Sequence, residues 1–261
     1  GCRIFVYRID EIILFDTAHA AAAMNALGKI VLIGVGLIGG SLMLDLKRRR
    51  QVGTVAGIDI NADNLARALE RRVIDEAHTE ITADNIAQAD LVILATPVAT
   101  LPSLCRLLLP HLPPHTVVSD VGSTKQSALA AFAQYLPQHF PRCVAAHPIA
   151  GSDRSGALAA QFGLYQDKKL IVCPHEGQDA GSLHLVENVW RSVGAEIHTM
   201  DAAEHDAIFA AVSAAVCKPP SFFSDTKRPL SGKAAASDAR ICACMSVSTT
   251  PGARQAARTF S

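Results

Sequence analysis

Lys29-Ile-Val-Leu-Ile-Gly-Val-Gly-Leu-Ile-Gly-Gly-Ser41, followed by Gly57-Ile-Asp59, decides the fold of this chain. Residues 29–33 are apolar in four places out of five and read as a fully buried strand. They run into Gly34-x-Gly36-x-x-Gly39, and an apolar helix begins at Leu37. The first glycine permits a tight turn, the second lets backbone approach a pyrophosphate, and the third lets helix and strand pack closely. Free N–H groups at the helix start, among Val35, Leu37 and Ile38, would then face the phosphate charge. A second strand over residues 54–59 ends on the carboxylate of Asp59, where an adenosine ribose would lie. Two carboxylate oxygens can accept from both ribose hydroxyls, and their charge repels a 2′-phosphate. The order strand, glycines, helix, strand, acid therefore points to NAD rather than NADP; an ordinary strand–turn–helix is the alternative.

Composition sets outer bounds. The 261 residues carry 24 basic and 24 acidic side chains, but the balance is uneven. Seven of the basic residues and only Asp225 and Asp238 of the acidic ones fall in 214–261, leaving 17 basic against 22 acidic in 1–213. A mildly acidic body argues against a nucleic-acid groove. Cys2, Cys105, Cys143 and Cys173 are scattered without C-x-x-C spacing, which suits a reducing cytoplasm better than a disulfide framework. No apolar run is long enough to cross a membrane as a helix. The histidines show no metal-ligand spacing, and Cys242-x-Cys244 has no second pair beside it, so no metal is expected.

From residue 29 to about 200 the pattern alternates strand and helix. Helices are expected near 62–72, through Leu101, Leu104 and Leu108, near 126–135 and around 183–193. Strands are expected at 90–95, 116–120, 142–147, 169–173 and 195–198. This is a doubly wound, Rossmann-type α/β pattern with a mainly parallel sheet. Ligands bind such sheets beyond the carboxyl ends of the strands. Asp59, Thr96 with Pro97, residues 120–123 and His147 all fall there.

His147 closes an apolar strand and opens His147-Pro-Ile-Ala-Gly-Ser-Asp-Arg-Ser-Gly156. A neutral imidazole in that place can take a proton from a substrate hydroxyl near pH 7. Read alone, a loop histidine bonded to backbone is the commoner case, whereas Ser123 is equally a helix N-cap. Asp201 and Glu204 read as a capping box opening a helix that carries His205 and Ser213 on one face. An exposed first-turn histidine is the plainer reading of His205.

Taken together, Gly34-Val-Gly-Leu-Ile-Gly-Gly-Ser41, Gly57-Ile-Asp-Ile-Asn61, Ala95-Thr-Pro-Val98, Asp120-Val-Gly-Ser-Thr-Lys125, the His147 segment, Ala203-Glu-His-Asp206 and Val212-Ser213 resemble the prephenate and arogenate dehydrogenases of tyrosine biosynthesis. The resemblance runs in order over residues 29–213, about seven-tenths of the chain. It implies an NAD-dependent oxidative decarboxylation of prephenate or arogenate, with hydride leaving the hydroxyl-bearing ring carbon and the ring carboxylate departing as carbon dioxide. By the same resemblance, His147 is the catalytic histidine and Ser123 the serine that orients it. Ser152, Asp153, His205 and Ser213 are the expected substrate contacts, Asp153 standing where many relatives carry glutamate. The resemblance further implies a homodimer for a complete member.

Four organisational expectations follow: an N-terminal extension over 1–27 with Met24 as initiator, an NAD-binding domain over 28–200, a linker helix over 201–216, and a disordered tail over 217–261. The resemblance stops after Ser213, where the family continues into an all-helical domain and this chain reads Ala214-Ala-Val-Cys-Lys-Pro-Pro220. Only eight of residues 214–261 are Val, Ile, Leu, Met or Phe, without helical or alternating period, which gives the disordered reading. The expectation is a frameshift near codon 214 and a product that binds NAD but turns over weakly or not at all.

Overall fold

The computed structural model describes residues 27–150 and 156–216. Its centre is the expected strand, β1 (Leu27–Ile33), which starts two residues earlier than Lys29 because Leu27 already pairs with Val52 of β2 (Val52–Ile58). Side chains of β1 alternate between two buried faces. Ile30 and Leu32 enter one apolar cluster, and Val31 and Ile33 enter the other. A strand covered on both sides has no polar face, hence its continuous apolar run.

Eight strands form one sheet in the order β3-β2-β1-β4-β5-β6-β7-β8. The remaining strands are β3 (Glu76–His78), β4 (Leu91–Leu94), β5 (Val117–Asp120), β6 (Cys143–Pro148), β7 (Lys169–Cys173) and β8 (Glu196–Thr199). Every neighbouring pair is parallel except β6 with β7. The chain order reverses between β1 and β4, and that switch point opens a crevice above the strand ends.

Helices cover both faces. On one lie α1 (Leu37–Arg48), α2 (Ala62–Glu70) and α6 (Ala180–Ser192), through Leu42, Leu65 and Trp190. On the other lie α3 (Ala83–Ile86), α4 (Leu101–Leu108) and α5 (Lys125–Tyr135), through Ile86, Leu101 and Phe132. Local chemistry starts several of them. Asn61 caps α2 by accepting the Asn64 amide, and Asp179 caps α6 by accepting the Ser182 amide and hydroxyl. Those Ser182 bonds hold the Asp179 carboxyl below its usual range. Thr82 and Asn85 form a reciprocal capping box that lets four residues make α3.

The boundary between two compact units falls after Ala202. The helix α7 (Ala202–Val216) lies almost wholly in the second. Of the expected extension over 1–27, Leu27 belongs to β1 because it pairs with Val52, and residues 1–26 lie outside the described residues, as does the tail over 217–261. Among the described residues no helix is long and apolar enough to cross a membrane.

Candidate nucleotide and catalytic site

The three glycines after β1 meet three different demands. Gly34 has φ +90°, and a Cβ there would stand 2.6 Å from the carbonyl oxygen of Ala95. At Gly39 a Cβ would come 2.4 Å from Leu32 Cδ1 and 2.9 Å from the Ala95 Cβ. Helix α1 therefore sits hard against β1 and the end of β4. Gly36 differs: a Cβ there would meet nothing within 4 Å. It is the N-cap of α1 and makes no side-chain cap bond, so the first-turn amides of the helix receive no capping side chain. An open glycine before an uncapped helix suits a pyrophosphate.

Asp59 follows β2 directly and is half-buried. Its Oδ2 accepts the Val35 amide at 3.0 Å and Asn64 Nδ2 at 3.1 Å, and its Oδ1 accepts the Asn61 amide at 2.9 Å. The carboxylate thus holds the glycine loop. Two carboxylate oxygens offer about four acceptor positions, which leaves room for a ribose hydroxyl. Beside it, Ile60 is 96% exposed, an apolar surface where an adenine would lie. The donor and acceptor set fits a dinucleotide.

Sequence reading missed Asn64. It joins Asp59 to the Val35 carbonyl (2.7 Å from Nδ2) and accepts the Ala157 amide through Oδ1 at 2.7 Å. That bond begins a strap. Arg71 donates to the carbonyls of Ala157 and Ala160, Ser41 Oγ accepts the Gln161 amide, and Asp45 Oδ1 accepts the Gly163 amide. Tyr165 closes the strap by donating its buried hydroxyl to the Ile38 carbonyl at 2.5 Å. Burial, then the nearby Asp45 charge, pushes that phenol well above its usual range. An asparagine three residues into a helix reads as a surface residue, and only the fold brings Ala157 to it.

Thr96 and Pro97 leave β4 beside Gly34, whose Cβ would lie 2.8 Å from Thr96 Cγ2. The Thr96 and Thr100 hydroxyls stand 2.8 Å apart, and Thr100 donates on to the Pro97 carbonyl, so the turn at 98–100 is tied down.

Ser123 is exposed in the loop after β5, and Thr124 rather than Ser123 takes the N-cap position of α5. The N-cap alternative for Ser123 is therefore wrong. His147 is half-buried near the end of β6, where it pairs with Ile171 of β7. Strand β5 ends at Asp120, opposite Ala145, so His147 lies two residues beyond the last β5–β6 pair. Both residues stand at the same edge of the parallel sheet as the glycine loop. Beneath them Asp120 and Lys125 form a buried ion pair at 2.5 Å.

Ser152 and Asp153 lie outside the described residues. In the second unit, His205 is buried, which corrects the reading of an exposed first-turn histidine. Its Nδ1 stands 2.8 Å from Asp206 Oδ1, and its ring lies 4.6 Å from that of Phe209 between centroids. Ser213 falls within α7, its side chain outside the described residues. Among the described residues no group of three or more His, Cys, Asp or Glu side chains could hold a metal ion.

Three comparisons bear on this site. Residues 42–199 match the family described as prephenate dehydrogenase, nucleotide-binding domain. The prephenate dehydrogenase of Bacillus subtilis is 34% identical over 185 residues, covering 70% of this chain and 49% of that protein. Among solved structures, the prephenate dehydrogenase of Aquifex aeolicus in complex with hydroxyphenyl propionate and NAD+ is similar at TM-score 0.67 and 32% identity, over 73% of this chain and 68% of that one. The arogenate dehydrogenase of Synechocystis is similar at TM-score 0.63 and 27% identity, over 74% and 71% of the two chains. The chain thus spans about half the length of the Bacillus subtilis relative.

Proposed function

The chain belongs to the prephenate dehydrogenase family and carries its nucleotide-binding domain, with NAD as cofactor, and from that premise we propose that it acts in the oxidative decarboxylation of prephenate or arogenate. The observation that carries the reading is the placement of Ser123 just after β5 and of His147 in the last residues of the neighbouring β6, on the edge where the glycine loop opens. Gly34, Gly36, Leu37, Ile38 and Gly39 hold the pyrophosphate in this reading, Val35 lines the loop with its amide already donated to Asp59, Asp59 holds the ribose, and Thr96 with Pro97 forms the crevice wall. Bound NAD supplies the hydride acceptor. His147 accepts a hydrogen bond from the ring hydroxyl and helps remove its proton as the ring becomes a phenol, and Ser123 orients the imidazole and touches the same hydroxyl. Loss of carbon dioxide leaves its bonding electrons in the ring, which becomes aromatic as hydride departs.

Ser152, Asp153, His205 and Ser213 are proposed to contact the substrate. The domain is proposed to span 28–200, with 201–216 leading toward a further helical region and a homodimer. A cytoplasmic place of action is supported by the buried thiols of Cys105 and Cys143, free among the described residues.

The test separates binding from turnover. NAD affinity is measured by calorimetry, and NADH formation is followed optically with prephenate and with arogenate. NADH formation with either compound, lowered about 10²–10⁴-fold by His147→Asn with NAD affinity kept, supports the proposal. NAD binding without oxidation of either compound would reduce this chain to a nucleotide-binding protein.

A further inference from the structure

The pair Asp120–Lys125 has a cost that stability does not explain. Both side chains are buried, at 1% and 0% exposure, so two charges have left water. Lys125 is also the first residue of α5, where a cation opposes the helix dipole. Apolar side chains would fill such a place more cheaply.

What the pair does is extend β5 without backbone. That strand stops at Asp120 while β6 continues to Pro148, so Ala146 has no β5 residue beside it. Asp120 Oδ1 accepts the Ala146 amide at 3.2 Å, and Lys125 Nζ donates to the Ala146 carbonyl at 2.5 Å. Asp120 Oδ2 also accepts the Gly122 amide at 2.8 Å. One ion pair therefore grips the residue before His147 and, by Gly122 and Lys125, both sides of Ser123. A Cβ at Gly122 would meet Val98 Cγ2 at 2.6 Å, so this turn is also held from the β4 side.

We propose that Asp120 and Lys125 are positioning residues that set the Ser123 segment against His147, acting through the backbone of Gly122 and Ala146. The proposal rests on the catalytic reading of Ser123 and His147 given above. The ionic form matters because an ammonium and a carboxylate bond several backbone groups at once and hold them at short distance.

The experiment uses the full chain with NAD and compares Lys125→Met with Asp120→Asn/Lys125→Met. The single variant leaves a buried carboxylate uncompensated, and the double variant removes that charge. The expected result is that the double variant regains most of the lost melting temperature and binds NAD within about threefold of wild type. Its kcat stays down by about 10²-fold or more, a loss typical of misplaced reacting groups. The His147 ring nitrogen shifts and the Gly122 and Ser123 amide shifts move in the double variant, while those of Val35 and Gly36 do not. A double variant with wild-type kcat and unmoved His147 shifts overturns the proposal, making the pair only structural. If the wild type oxidises neither compound, the catalytic reading falls, and the NMR shifts still decide whether the pair places these two segments.

Discussion

Asn64 donates through Nδ2 to Asp59 Oδ2 at 3.1 Å while its own Oδ1 holds the Ala157 amide at 2.7 Å. One side chain thus connects the acid assigned to the ribose with the first residues after the segment 151–155. Asn64→Ala removes three side-chain bonds and is expected to cost about 2 kcal/mol. It also frees the Ala157 amide, which should lose hydrogen-exchange protection more than the amides of β5. Equal loss at both places would show a general loosening instead.

Gly34 and Gly36 make opposite predictions although they are two residues apart. Gly34→Ala forces a Cβ into backbone at positive φ and is expected to destabilise the chain by about 3 kcal/mol. Gly36→Ala finds open space, so its denaturation midpoint should match wild type. Its methyl group would stand where the pyrophosphate approaches, and NAD affinity should fall tenfold or more. Calorimetric titration beside urea denaturation checks both. A stable Gly36→Ala variant that binds NAD normally would refute the glycine-loop assignment.

Asp59→Asn is expected to act in two ways, because the carboxylate is assigned to the ribose and also holds Val35. Affinity for NAD should fall, since the loop loses a charged acceptor. The ratio of NADP to NAD affinity should rise by about tenfold as repulsion of the 2′-phosphate disappears. The ratio isolates the charge effect from the loop effect; a ratio left unchanged would mean that Asp59 does not select the cofactor.

The element pattern was legible where the chain buries both faces. The strand at 169–173 was read to the residue, and β1, β4 and β5 within two, because apolar runs and Gly or Pro exits mark them. Strand β3 and helix α3 were not seen. Three residues of β3, all half-buried, have no apolar signature and exist because Ala56, Gly57 and Ile58 offer them a partner. The glycine loop, Asp59 and the strand-end places of Ser123 and His147 were legible from motif order. The roles of Asn64 and of the pair Asp120–Lys125 were not. Asn64 holds Ala157 from 93 residues away and Lys125 holds Ala146 from 21 away, and spacing says nothing about such contacts.

Burial pushes the Cys105 thiol up to about 12, with the Asp120 charge adding to it, and burial likewise raises Cys143. At pH 8 the thiolate fraction of Cys105 is then roughly one in ten thousand. Iodoacetamide at pH 8 should leave both residues unlabelled in the folded chain and label them in urea. Rapid labelling of Cys105 in the native state would mean that α4 opens readily from the sheet.

Asp45 gives the chain a pH dependence of unusual sign. It is buried in α1, where Oδ1 accepts the Gly163 amide and Oδ2 has no partner among the described residues. Burial raises its pKa, and this outweighs the lowering by the Gly163 bond and by Arg49 and Arg48. Above the unfolded value, about 3.9, the unfolded chain has released this proton while the folded chain keeps it. Stability from this group is therefore present below that value and is lost as pH rises through the folded pKa. Above the folded pKa the chain carries the cost of a buried, half-satisfied carboxylate. Asp45→Asn keeps the acceptor for Gly163 without the charge. Its urea midpoint should exceed that of wild type at pH 7, and the gap should narrow as pH falls toward 4.5. A gap that stays constant with pH would show that the Asp45 carboxyl does not titrate differently in the two states.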